Sequence, residues 1–191
     1  MPYKKLYRLC QDTNADHQPL QWYLDDVLNL SWVAGVDVKA TNAFPVDGLR
    51  GFIIRHSPEL HGLRHKYTIV VCDGMDSEME RFVVIKELMH CYFDPTNGCS
   101  TDSRIAFDVH MRQFFGQSAS QPSLHVQAEF QALWMAMGVL CSETKRLEYM
   151  EQVRRGDVSI PELVNRLKAP AHIIRRFLSV QYEDEIRDIL N

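Results

Sequence analysis

The sequence lacks a long hydrophobic run, a paired-cysteine motif and an excess of positive charge. The longest apolar stretch, Ala132 to Cys141, is ten residues. A helix needs roughly 20 to cross the hydrocarbon core, so no membrane contact of that kind is expected. The five cysteines (Cys10, Cys72, Cys91, Cys99, Cys141) are scattered and odd in number, with no CxxC pair. That speaks against a disulfide framework or a zinc knuckle and suits a reducing compartment. Lys and Arg number 21 against 25 Asp and Glu, for a net charge of -4. A protein that coats nucleic acid by overall charge is therefore not expected, although a local basic patch is compatible with this balance. The opening segment MPYKKLYRLC is charged and poor in apolar residues, unlike a secretory signal. A cytoplasmic location is the expectation.

What is present is an ordinary globular composition: 191 residues, 46% hydrophobic and 24% charged. This length suits one domain, or one with a small appendage, and buries a core without staples. Residues 19–33 predict an amphipathic helix carrying Leu20, Trp22, Leu24, Val27, Leu28, Leu30 and Trp32. Gly48 and Gly51 bracket a turn before Phe52-Ile53-Ile54, and Tyr67 to Val71 is β-branched and aromatic. Asp73-Gly74 ends that second run with turn chemistry. These runs are expected to pair in a small sheet.

A helix is predicted from Ser77, where Ser77-x-x-Glu80 has capping-box spacing. It runs to about Tyr92 and stops before Asp94-Pro95, since a residue preceding proline avoids the α region. Residues 96–103 read as loop, 104–115 as helix or strand, and 116–123 as surface loop. A second long helix covers about 124–141. A further helix lies near 143–154, and two short helices flank Lys168-Ala169-Pro170. The expected fold is α+β: a small antiparallel or mixed sheet packed with helices.

The central helix, RFVVIKELMHCYF, is apolar on almost every face, which marks it as buried. Three polar side chains nevertheless sit in it: Lys86, Glu87 and His90. Buried polar groups cost free energy unless paired, so they call for partners. Lys86 and His90 stand at i, i+4, one turn apart on one face. HExxH zinc peptidases place two histidine ligands at that spacing, with the intervening glutamate beside the metal-bound water. Here the five residues are Lys86-Glu87-Leu88-Met89-His90. The second helix repeats the pattern, with Glu129 on the face of Ala132, Leu133 and Ala136. Small residues at Ala128, Ala132 and Ala136 would let two helices approach closely.

These two helices resemble those of the ImmA/IrrE peptidases, whose signature helix reads approximately R-F-x-x-A-H-E-L-G-H. A later helix in that family carries E-x-x-A-N-x-F-A, and Glu129-Phe130-Gln131-Ala132 fits its start. The resemblance covers about residues 20–180. It implies a zincin-like core with an active-site helix at about 78–92 and a ligand helix at about 124–141. It implies a peptidase-fold domain over 1–145, with a C-terminal helical extension over 146–191 packed on it. By the same resemblance Glu87 matches the general base, His90 the second zinc ligand and Glu129 the third. Lys86 takes the place of the first ligand and departs from the pattern. Met89, Ile85 and Leu133 also replace the family's glycine, alanine and asparagine.

Lysine binds a metal only as the neutral amine. Its reference pKa is near 10.4, so deprotonation at pH 7 costs roughly 4–5 kcal/mol. Burial lowers that pKa, while nearby Glu87 and Glu129 raise it again. The ammonium is expected to persist, standing where zinc would supply positive charge. The cofactor expectation is accordingly none, or zinc only if a third protein ligand replaces Lys86. Among the other histidines, His110 is the one to watch for that part, and Cys91 points about 100° away from His90 on a helix. The resemblance implies a regulatory or protein-binding member of phage, mobile-element or toxin–antitoxin systems, with impaired catalysis. A protein partner or peptide substrate follows from it. One alternative is an active zinc peptidase with an atypical ligand set. Another is DNA contact through Arg166, Lys168, Arg175 and Arg176, which make a helix–turn–helix-like tail locally basic. The Ser159-x-x-Glu162 capping box opens that tail.

Overall fold

The computed structural model describes residues 2–45, 50–56, 64–93 and 124–191. The predictions for 96–103, 104–115 and 116–123, and for His110, fall outside these residues. Among the described residues the fold is α+β, with eight helices and a three-stranded mixed sheet.

The sheet has the order β1-β3-β2, with β1 at Val33–Thr41, β2 at Gly51–Arg55 and β3 at His65–Cys72. β2 and β3 run antiparallel, with Ile53 opposite Ile69, so the two predicted runs pair with each other. β1 adds to the other edge of β3 in parallel, bringing Val38 opposite Ile69. The sequence reading missed β1 because it carried the preceding helix to residue 33. That helix, α2, spans Leu20–Leu28 and is capped by Asn29. Leu30 and Trp32 thus lie in the turn rather than on the helix, and the Trp32 indole donates to the Cys91 carbonyl at 3.0 Å. The alternation Val36-Asp37-Val38-Lys39 was the overlooked strand signal.

Another missed element is α1, Pro2–Gln11, which buries Tyr3, Leu6 and Cys10 along one face despite its charge. The Tyr3 hydroxyl donates to the Met135 carbonyl at 2.9 Å, and that of Tyr23 in α2 to the Val139 carbonyl at 2.7 Å. The first bond reaches the second long helix, α4 (Leu124–Gly138), and the second reaches the residue that follows it.

Helix α3 spans Ser77–Met89 and continues as a 3-10 turn, His90–Tyr92. Its cap is shifted by one residue from the expectation. Asp76 is the N-cap and its carboxylate accepts from the Met79 amide at 2.7 Å, while the Ser77 hydroxyl donates to Glu78 at 2.8 Å. A carboxylate one position upstream, carrying a full charge, explains the shift, since carboxylates favour the positive end of a helix. α3 packs against β2 and β3, against α2 and against α4, the last spanning Leu124–Gly138. Neighbours on three sides account for its apolar circumference.

The tail holds α5 (Glu143–Arg155), α6 (Ile160–Leu167), α7 (Ala171–Phe177) and α8 (Val180–Leu190). The Ser159–Glu162 capping box is formed with both of its bonds. α8 was not foreseen; it packs on α4 and α7. Gly138 marks its closest approach, because a Cβ there would lie 2.6 Å from the Tyr3 hydroxyl and 2.8 Å from Ile186 Cδ1. Arg146, fully buried, fastens the tail. Its guanidinium bonds Glu143 and Glu183, each at 2.7 Å, donates to the Phe177 carbonyl at 3.3 Å, and lies 4.8 Å from the Tyr182 ring centroid.

Candidate functional site

The packing of α3 on α4 brings the four singled-out side chains together. Lys86 donates to Glu87 Oε1 at 2.9 Å and to Glu129 Oε2 across the helix pair. His90 Nε2 lies 3.3 Å from Glu129 Oε1 and 3.8 Å from Glu87 Oε2. The side chains of Lys86, Glu87, His90 and Glu129 are 18%, 2%, 4% and 15% exposed, so water screens the cluster weakly. Two carboxylates therefore face one ammonium in a region of low dielectric.

The charges respond accordingly. Burial pulls the Lys86 pKa down, but the Glu87 and Glu129 carboxylates outweigh it and hold the ammonium above the ordinary lysine value. Burial pushes the Glu129 carboxyl up, and the charges of Lys86 and then His90 overcome that and hold it well below the ordinary carboxylate range. Each shift favours the charged form of the pair.

A zinc ion at this place would need the Lys86 position as a lone-pair donor. The ammonium has no lone pair, and it already occupies the space between the two carboxylates that would face the metal. Among the described residues no three His, Cys, Asp or Glu side chains are grouped to hold a metal ion. The donors that are described do not fit zinc. Cys91 does not change this: it is buried, and burial raises its thiol pKa. The cluster retains unpaired polarity, however. Glu87 Oε2 and both ring nitrogens of His90 are buried without a hydrogen-bond partner among the described residues. His90 otherwise meets the Phe93 ring edge-on at 5.4 Å.

Lys86, Glu87 and Glu129 line a cleft of about 260 Å³. Its walls are Phe82 and Val83 from α3, Phe130 and Leu133 from α4, and Ile173 from α7. Arg50, His172 and Arg176 also line it. Sequence reasoning missed Arg50 and His172, since nothing local distinguishes them. The only trace is Gly51: a Cβ there would lie 2.5 Å from Val83 Cγ1, so glycine lets the start of β2 close on α3.

The four basic residues of the tail have separate settings. The Arg166 carbonyl is bonded by the His17 ring at 2.9 Å. Lys168 ends α6 in the left-handed conformation, and its carbonyl accepts from Arg81 at 3.2 Å. Arg175 is exposed on α7. Arg176 lies 5.3 Å over the Trp134 ring of α4 and belongs to the cleft. No helix among the described residues is long and apolar enough to cross a membrane. Comparisons with known protein families, curated proteins and solved structures find no match for this chain.

Proposed function

We propose that this chain is a peptidase-like regulatory protein that engages a protein partner and does not hydrolyse peptides. On this reading it acts in the cytoplasm, and an internal ammonium stands in for the zinc of the resembled ImmA/IrrE enzymes. The observation that carries the reading is Lys86 bridging Glu87 and Glu129. A carboxylate committed to an ammonium is a poor general base, because releasing it would leave both charges buried and unpaired. Elemental analysis of the purified protein beside Lys86→His tests the idea. A metal-free wild type, and a variant that takes up about one zinc per chain, is the expected pair of results. Stoichiometric zinc in the wild type would overturn it.

A second reading, an active zinc peptidase with another ligand set, has one observation in its favour. The His90 nitrogens and Glu87 Oε2, which lack a well-aligned hydrogen bond among the described residues, are atoms that a metal or its bound water would satisfy. It requires a donor from outside the described residues, and the same metal analysis separates the two readings.

A further inference from the structure

The cleft carries information that the Lys86 cluster does not. Its walls are apolar, with Phe82, Val83 and Ile173 buried, and Phe130 beside them is 43% exposed. Arg50, His172 and Arg176 are exposed and therefore stand at its mouth. Among the described residues the Arg50 side chain makes one weak hydrogen bond, with Met79 Sδ at 3.8 Å, and the Arg176 guanidinium stacks on Trp134. Neither has a carboxylate partner there. The crowding is felt at His172, whose pKa is lowered by the partial desolvation of its ring and then by Arg50, Arg176 and Arg175, with Asp76 opposing them.

We propose that this cleft binds a carboxylate attached to an apolar side chain, with Arg50 and Arg176 holding the carboxylate at the mouth and Phe130, Leu133 and Ile173 enclosing the apolar body. Guanidinium groups suit a carboxylate because their planar donors match its two oxygens. The volume of about 260 Å³ limits the ligand to one bulky residue or a small aryl acid; it corresponds to roughly eight or nine water volumes. Two cations that form no ion pair among the described residues, beside an apolar wall, are the complement of such a ligand. An acid at the mouth would also relieve the repulsion around His172. Lys86, Glu87 and Glu129 line the same cleft, but the proposed contacts are made by other residues, and binding is read separately from metal content.

The test is titration calorimetry of the full chain with N-acetyl-phenylalanine, its C-terminal amide and phenylacetate. Saturable binding of the acid is expected, with affinity at least tenfold above that of the amide. Arg50→Gln and Arg176→Gln should each weaken the acid by about tenfold, the loss expected for one charge-assisted bond. Leu133→Trp, which fills the wall without touching the cations, should abolish binding while the circular dichroism stays native. In NMR spectra the His172 ring should titrate at higher pH when the acid is bound, since added negative charge favours imidazolium. Tighter binding of N-acetyl-phenylalanine than of phenylacetate would assign the carboxylate to a chain terminus. Equal binding would assign it to a free small acid, and both uphold the proposal. Equal affinity for acid and amide, no saturable binding at millimolar concentration, or undiminished binding to a folded Arg50→Gln/Arg176→Gln protein would overturn it.

Discussion

Lys86 of α3 and Glu129 of α4, 43 positions apart in the chain, are joined by a direct charge-assisted hydrogen bond. The bond crosses the packing of α3 on α4, and Glu87 holds the same ammonium from the neighbouring position. What a metal site would do with a divalent ion, this core does with one of its own side chains.

Removing the ammonium should therefore be costly. Lys86→Met leaves two weakly screened carboxylates facing each other, and about 3 kcal/mol of stability should be lost at neutral pH. Urea denaturation measures it. The triple variant Lys86→Met/Glu87→Gln/Glu129→Gln should regain most of the loss, since no unpaired charge remains. A single variant as stable as wild type would show that the pair is not formed.

The pair also sets a pH window. The folded Glu129 pKa is depressed, so its contribution is full above the ordinary carboxylate value of 4.5 and is lost as pH falls toward the folded value. The folded Lys86 pKa is raised, so its contribution is full below the ordinary lysine value of 10.5 and is lost as pH rises through the folded one. The stability difference between wild type and the triple variant Lys86→Met/Glu87→Gln/Glu129→Gln, which carries none of the three charges, should be level between these limits and shrink outside them. Denaturation curves across pH give the answer, and a difference changing steeply near neutrality would contradict the assignment.

Arg146 is the corresponding bond of the tail. It is fully buried and donates to the buried Phe177 carbonyl, so Arg146→Met strands that acceptor, while Glu143 and Glu183 keep access to water. A loss of about 1 to 3 kcal/mol is expected. Hydrogen exchange should quicken first in α7 and α8, whose anchor it is, and unchanged protection there would contradict that role.

The cap of α3 separates two sequence frames. Asp76→Ala should cost about 1 kcal/mol, and Ser77→Ala should be close to neutral. Thermal unfolding of the two variants distinguishes the Asp76 cap from the Ser77–Glu80 box, which would reverse the order.

Local chemistry was legible at several places where neighbours in sequence decide the outcome, though not at the α3 cap or in β1. The Ser159–Glu162 box, the β2 and β3 runs, and α3 ending ahead of Pro95 all depend on residues within one turn or one strand. The i, i+4 spacing of Lys86 and His90 likewise put both on one helix face before any packing was known. The apolar circumference of α3 already required neighbours on all sides. It did not say which neighbours, nor that β1 would join in parallel at the far edge of β3, because that edge is filled by a segment whose helix ends earlier than its hydrophobic pattern suggests.

The sequence by itself determined that three polar side chains would be carried into a buried helix, and that lysine would stand where HExxH has histidine. Only the tertiary structure decided their partners. Glu129 reaches Lys86 because α3 and α4 pack side by side, and Arg50 and Arg176 meet at one cleft because β2, α4 and α7 converge on α3. The physical reason is range. Helix faces and caps are fixed by bonds spanning three or four residues, whereas a charge in a core is settled by whichever distant group the packing delivers within hydrogen-bond reach.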